Sequence, residues 1–353
     1  MSEHHHDRDA NPNHKKIVWV MMGGPSLEHD VSVVSGTGMV RNLDFNKYKI
    51  LPIYVDRQGV WFWARHALTG FQQENFSKNF FLEETLVKSA RYPSKTEILP
   101  CDVALLAFHG EFGEDGRIQA HLDQWNVAYT GSGLEASALA MNKINSKAVY
   151  KLYDIPTPPS VIIRRDQLAD RLPLCFDQFG FPLVLKNPVG GSSFGISIVQ
   201  SPDEALKAAE ELFKDCNRIL VEKFISGREA SVGYIQGQAP MPVTEIRFGD
   251  KLYFDYEAKY LGKSEEITPG PFSEEITRNM QRLSREAHEA LGLSGYSRTD
   301  FRIDQDDNLW VLESNSLPGF TPTSILPQQC AHLGIGYSQL LDIILNIALL
   351  KNG

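Results

Sequence analysis

"TDFRIDQDDNLWVLESNS", Thr299 to Ser316, reads as a strand, a polar turn and a second strand. Asp, Glu and Asn weaken strands, yet Asp300 lies inside the first run, and Glu313 and Asn315 lie two apart in the second. The polar cluster Asp304 to Asn308 supplies the turn. A hairpin centred near Asp306 and Asp307 sets residue 300 against roughly residue 313. Alternation of side chains then puts Glu313 and Asn315 on one face. The three side chains converge on one spot with oxygen donors from two carboxylates and an amide. Such a set suits a hard cation, Mg²⁺ or Mn²⁺, holding phosphates. An exposed acidic sheet face is the other reading of the same residues.

The chain of 353 residues is long enough for two or three domains and a sizeable core. Its net charge of −9, with no basic stripe, argues against a nucleic-acid surface. No apolar run reaches membrane-span length and the N-terminus has no apolar signal region, so a cytoplasmic protein is the simplest expectation. Cys101, Cys175, Cys216 and Cys330 are scattered without CxxC spacing, which indicates neither a disulfide framework nor a zinc site.

The first third alternates strand and helix. "KIVWVMM", "KYKILPIYVD", "CDVALLAFHG" and "NVAYTGSG" predict a small parallel sheet with functional loops at the strand C-termini. "SALAMNKINSKAVYKLYDI" predicts one helix, stopped by prolines from Pro156. Two β-rich runs flank a Gly/Ser loop at Lys186–Gly195; a helix at Asp203–Asp215 and the strand "RILVEKFI" follow. "EASVGYIQ", "MPVTEIRF" and "KLYFDYEAKY" look antiparallel, and helices are expected near Ser273–Leu291 and at Tyr337–Leu350.

Several loops carry chemistry. "KNPVGGSSFG" spends three glycines and two serines on a hairpin tip, which suits backbone N–H groups wrapped on phosphate with Lys186 beside them, or a flexible surface hairpin. It lacks the Walker A spacing. "LVEKFISGREAS" sets Glu222, Lys223 and Glu229 around a Gly turn, where a strand passing into a second domain can act as a hinge, or where the charges are simply on the surface. Lys143 either reaches a phosphate from its helix or is solvated. "GGPSLEHDVS" lacks GxGxxG, and Glu28 and Asp30 repel anions, so the loop suits a substrate ammonium or a capped helix start. "FHGEFGEDG" places His109 with Glu111, Glu114 and Asp115 at a cleft, in a binding or a turn role. "DYEAKY" sets Lys259 and Tyr260 before a long polar segment, and Arg298 shares a strand face with Asp300. A guanidinium beside metal ligands suits charge clamping in acyl or phosphoryl transfer.

"GGPSLEHDVS", "HGEFGEDG", "YTGSG", "GSSFG", "DYEAKY", "RTDF" and "LESNSLPGFTPTS" together resemble, in order and spacing, the D-alanine–D-alanine ligase family of the ATP-grasp superfamily, from about Lys16 to the C-terminus. The resemblance implies a mixed α/β and α+β fold in three parts. These are an N-terminal α/β domain on the substrate side over 15–135, a central subdomain over 136–222, and a mainly antiparallel catalytic domain over 223–353. A lid near 260–272 and a disordered leader over 1–14 complete the expectation. ATP would lie between the last two domains.

By position, Lys143 and Lys186 resemble the nucleotide-phosphate lysines, with Ser192 and Ser193 in the covering loop. Glu222, Lys223 and Ile225 resemble the adenine connection, and Glu229 the ribose ligand. Asp300, Glu313 and Asn315 resemble the ligands of two Mg²⁺ (or Mn²⁺) ions. Glu28 resembles the anchor of the first D-alanine's ammonium, with His109 near its carboxylate. Arg298 and the backbone of Gly319 would hold the oxyanion, Lys259 and Ser324 the second substrate's carboxylate, and Tyr260 would belong to the lid, linked to Ser192 and Glu28. The implied activity is ATP-dependent formation of D-alanyl-D-alanine through an acyl phosphate, for peptidoglycan synthesis, by a homodimer. Asn142, Asn187, Gly190, Ser314 and Ser316 depart from the family's usual residues. A ligase for another amino acid or a D-hydroxy acid, and a non-catalytic nucleotide-binding paralogue, are the alternatives.

Overall fold

The computed structural model describes residues 15–82, 86–89, 93–191, 195–247 and 265–351. The leader over 1–14, Ser192, Ser193, Lys259, Tyr260, the "KLYFDYEAKY" strand and the first part of the lid lie outside them.

The first sheet contains β1 (Lys16–Gly23), β2 (Tyr48–Val55), β3 (Trp61–Ala64), β4 (Leu86–Ser89), β5 (Val103–Leu106) and β6 (Ala128–Tyr129), in the order β4-β3-β2-β1-β5-β6. After Lys16, β1 is apolar because it lies in the middle, parallel to β2 and β5, with Val18 to Met22 fully buried. The predicted four-strand parallel sheet is extended by β3 and β4, which pair antiparallel. Loops leaving the C-ends of the neighbours β1 and β5 meet: the Ser26 hydroxyl donates to the His109 carbonyl at 2.8 Å. A crevice at the carboxyl ends of adjacent strands is where such sheets bind ligands.

The second sheet holds β7 (Ser160–Arg164), β8 (Leu183–Lys186), β9 (Ile196–Val199) and β10 (Arg218–Lys223), ordered β7-β10-β8-β9 and antiparallel. Helices Leu168–Phe179 and Pro202–Leu212 close its core with Leu172, Cys175, Ala205 and Ala209. The third sheet is antiparallel too: β11 (Arg228–Ile235), β12 (Thr244–Arg247), β13 (Glu265–Ile267), β14 (Tyr296–Ile303) and β15 (Leu309–Asn315), in the order β13-β12-β11-β14-β15. The chain crosses from the second sheet to the third between β10 and β11. Gly227 makes the crossing at φ +135°, where a Cβ would lie 2.0 Å from the Ile303 carbonyl oxygen, so only glycine fits.

The single helix expected around Lys143 is two helices, Leu134–Met141 and Lys143–Leu152, broken at Asn142. The Asn142 side chain accepts from the Ile144 and Asn145 amides at 3.1 and 3.3 Å and so caps the second helix. Asn caps as well as the Asp usual there, so this departure keeps its structural role. Tyr150 of the second helix packs into the core of the third sheet. The C-terminal helix spans Tyr337–Leu350 as expected and lays Leu340, Leu341, Ile344 and Leu345 into the core of the first sheet.

Candidate active site

The opening hairpin forms with Asp300 paired to Glu313 and Arg298 to Asn315. Its turn is centred half a residue from the expected place, since Ile303 pairs with Leu309 and Phe301 with Val311. A bulge between Asp300 and Phe301 restores the register. Without it Glu313 would fall on the opposite face from Asp300, because a one-residue slip inverts every side chain. The Arg298 guanidinium donates twice to Asp300, at 2.8 Å each, while Asn315 Nδ2 and the Ser231 hydroxyl donate at 3.2 and 2.5 Å. Glu313 meets the Lys143 ammonium at 3.0 Å, and Lys143 also donates to the Gly190 carbonyl at 2.8 Å.

A cleft opens between the second and third sheets, lined by Lys143, Lys186, Glu222, Lys223, Ile225, Glu229, Asp300 and Glu313 with apolar Val184, Ile196, Ile198 and Leu312. Glu222 is buried against two ammonium groups, Lys186 at 2.5 Å and Lys147 at 2.6 Å. Burial alone raises a carboxyl, but these two cations outweigh it and hold Glu222 at about 2. Arg302 donates to the Ile225 carbonyl at 3.0 Å and to Glu229 at 3.4 Å, which fixes the crossing strand and the acid at its end.

A second cavity of about 460 Å³ lies between the first and third sheets and is lined by Glu28, His109, Glu114, Glu266, Arg298, Asn315, Gly319 and Ser324. Glu28 is seated against Gly110 and Gly191: a Cβ there would come within 2.1 and 2.9 Å of its Oε2. Gly191 belongs to the Gly/Ser loop, so the loop and the first-sheet carboxylate touch. His109 Nε2 shares a hydrogen bond with the Ser35 hydroxyl at 2.9 Å, and Glu114 is 4.0 Å from its Nδ1. Burial holds the His109 ring down at about 4, so it is neutral at pH 7. Burial, helped by the charge of Glu28, raises Glu114 to about 8. Glu313 lines both cavities and also a narrow space beside Gly190 and Gly191.

These ionisations predict a stability optimum near pH 6.5. His109 and His288 are both pushed down to about 4, chiefly by burial, from an ordinary 6.5. The unfolded chain therefore binds protons below 6.5 that the folded chain refuses, and stability falls with acidification towards pH 4. Glu114 has the opposite sign. Its stabilisation is complete below its ordinary 4.5 and is lost as pH rises through about 8. Below 6.5 the lowered histidines, His121 among them, outnumber it; above 6.5 Glu114 and Glu266, which burial also raises, make stability fall. Thermal unfolding across pH 4–8 should show the maximum, and Glu114→Gln should reduce the decline above 6.5.

The structure brings Lys143, Lys186, Glu222, Lys223, Ile225, Glu229, Asp300 and Glu313 to the first cleft, and Glu28, His109, Arg298, Asn315, Gly319 and Ser324 to the second. Among the described residues no group of three or more His, Cys, Asp or Glu side chains is arranged to hold a metal ion. Asp300 and Glu313 are instead held by Arg298 and Lys143. Sequence reading missed Lys147 and Glu266. Lys147 stands one helical turn after Lys143, on the same face. That spacing was its only signal. Glu266 accepts from Gln328 Nε2 at 3.0 Å within the second cavity, and burial raises its pKa.

Two antiparallel units gripping a lysine-lined cleft, beside an α/β unit that presents a second cavity, make an ATP-grasp ligase architecture. The family model described as D-ala D-ala ligase N-terminus matches residues 17–132, and that described as D-ala D-ala ligase C-terminus matches 149–346. The chain belongs to the D-alanine–D-alanine ligase family. It is 36% identical over 344 residues to the D-alanine–D-alanine ligase of Leptospira biflexa, covering 94% of this chain and 98% of the relative. Similar solved structures include the D-alanine–D-alanine ligase of Bacillus anthracis complexed with ATP, with TM-score 0.74, 30% identity and 96% and 98% of the two chains covered. The VanG D-Ala:D-Ser ligase of Enterococcus faecalis matches with TM-score 0.84 and 27% identity, covering 95% of this chain and 100% of that one.

Proposed function

We infer that this enzyme joins two D-alanines into D-alanyl-D-alanine for peptidoglycan synthesis, with ATP converted to ADP and phosphate. The observation that carries the reading is Glu313, one carboxylate shared by a lysine-lined cleft and a second cavity lined by carboxylates and a guanidinium. The first D-alanine carboxylate attacks the γ-phosphate and becomes an acyl phosphate. The amine of the second then attacks the acyl carbon and phosphate leaves. The protein's share is positioning and charge neutralisation.

In this proposal Lys143 and Lys186 bind the phosphates under the loop carrying Ser192 and Ser193. Glu222, Lys223 and Ile225 receive the adenine, and Glu229 the ribose. Asp300, Glu313 and Asn315 would hold two Mg²⁺ or Mn²⁺ ions; their oxygen donors suit such ions, which when bound neutralise phosphate charge, and the Arg298 and Lys143 contacts that now hold the two carboxylates would give way to them. Glu28 takes the first ammonium and His109 lies by its carboxylate. Arg298 and Gly319 stabilise the oxyanion. Ser324 and Lys259 hold the second carboxylate, and Tyr260 belongs to the lid. A cytoplasmic homodimer is part of the same proposal. D-serine as second substrate is the other reading, favoured by the likeness to the D-Ala:D-Ser ligase.

ADP release measured with D-alanine, L-alanine, D-serine and D-lactate, with products identified by mass, decides among these. ADP formation without a D-alanyl product would refute the ligase. Glu28→Gln, which keeps shape and removes charge, should raise the KM for the first D-alanine about ten- to a hundredfold while leaving that for ATP nearly unchanged. A change confined to ATP would mean that Glu28 serves another group.

A further inference from the structure

Lys147 lies outside every role assigned so far, yet it is one of the most constrained cations in the molecule. Its side chain is 7% exposed, and the ammonium donates three times: to Glu222 at 2.6 Å, to the Thr157 hydroxyl at 2.9 Å and to the Pro158 carbonyl at 2.8 Å. An ammonium has three protons, so none is left for a ligand. Whatever Lys147 does, it does through Glu222.

Glu222 lies in register with Val184 across β10 and β8, and Val184 with Ile198 across β8 and β9. This row forms a wall of the nucleotide cleft, with Pro158 and Phe224 nearby. Apolar side chains with one carboxylate among them suit a flat heterocycle with one polar edge. Lys147 takes Oε1 and Lys186 takes Oε2. Each oxygen keeps a second lone pair, so Glu222 can still accept a hydrogen bond but has no proton to give.

We propose that Lys147 is the positioning residue that sets the enzyme's choice of purine: by fixing Glu222 as a pure acceptor, it makes the cleft favour a base with an exocyclic amine at ring position 6 and reject a 6-oxo base. This rests on the reading of the first cleft as the nucleotide site. A 6-amino group donates to the carboxylate, whereas a 6-oxo group sets one acceptor against another. Without Lys147 the buried carboxylate keeps one cation, turns more freely and takes up a proton more readily. A protonated Glu222 would donate to the 6-oxo oxygen.

The test compares ATP with ITP, which differ at that position in offering an amine or a carbonyl. Binding of each to the full chain is measured by calorimetry without amino acid, and KM and kcat with D-alanine. Lys147→Met should weaken ATP about tenfold or more and ITP far less, so that the ATP-to-ITP preference shrinks about tenfold, with the loss in KM rather than kcat. Lys147→Arg, which keeps the charge, should retain most of the preference. Parallel weakening of both nucleotides, or an unchanged ratio in a folded Lys147→Met, overturns the proposal, as does a wild type that binds both alike. If Lys147→Met does not fold, Lys147→Gln is read by the same ratio. A wild type that prefers ATP and yields no dipeptide would refute the ligase reading alone, since the binding ratio still reports on Lys147.

Discussion

Glu313→Ala is expected to lower ADP release by about three orders of magnitude while the fold persists. The carboxylate lies where the two cavities meet, opposite Asp300 and 3.0 Å from the Lys143 ammonium. Alanine removes negative charge from the proposed cation site and leaves γ-phosphate charge uncompensated during transfer. It also leaves Lys143 without the charge beside it, so some loss of stability accompanies the substitution. Glu313→Gln separates the two effects. It preserves shape and hydrogen bonding, so it should melt close to wild type yet still lose most activity. Near-normal turnover of either variant at saturating Mg²⁺ would remove Glu313 from the metal assignment.

Most of this site was legible because its residues come in short blocks tied to strand ends. Period-two alternation put Arg298 and Asp300 on one face, and the polar turn at Asp304–Asn308 located the facing strand. The pairing of Asp300 with Glu313 was anticipated by a symmetric hairpin, but the structure reaches it through a bulge. Sequence pattern reports alternation and does not report an inserted residue, so the right pairing came with the wrong turn centre. The helix Leu168–Phe179 was not anticipated; it carries Pro173 inside, and a proline ordinarily breaks a helix. The break at Asn142 was hidden by the opposite effect, since good helix formers surround it and only its capping bonds reveal the boundary.

Lys147 was illegible on different grounds. A lysine on a helix is ordinarily solvated, and its burial depends on Glu222, 75 residues later in the chain. No local pattern encodes that meeting. The ionisation states of His109 and Glu114 were hidden likewise, because burial sets them and burial is a property of the assembled sheets. The sequence thus carried the chemistry of the loops, and the fold supplied the cations and protonation states around them.

Arg298→Met is expected to cut kcat by about a hundred- to a thousandfold with little change in the KM for ATP. Arg298 faces the second cavity beside Asn315 and Gly319 while clamping Asp300 through two bonds of 2.8 Å. The proposed mechanism gives it two separable duties, to orient Asp300 and to meet negative charge as the acyl carbon goes through its tetrahedral stage. Arg298→Lys keeps a cation but loses the planar fork, so the bidentate clamp goes even if the charge remains. If charge on the oxyanion dominates, the lysine variant should recover much of kcat. If the clamp dominates, it should be as impaired as the methionine variant and need more Mg²⁺ for half-maximal rate. Trapping the acyl phosphate with hydroxylamine tells the steps apart, since a neutral nucleophile reports intermediate formation without the second D-alanine. Wild-type hydroxamate formation with slow dipeptide formation places Arg298 in the second step; loss of both places it in phosphoryl transfer through Asp300. Wild-type kcat in Arg298→Met would exclude both duties and reduce the Arg298–Asp300 pair to a brace on the strand face.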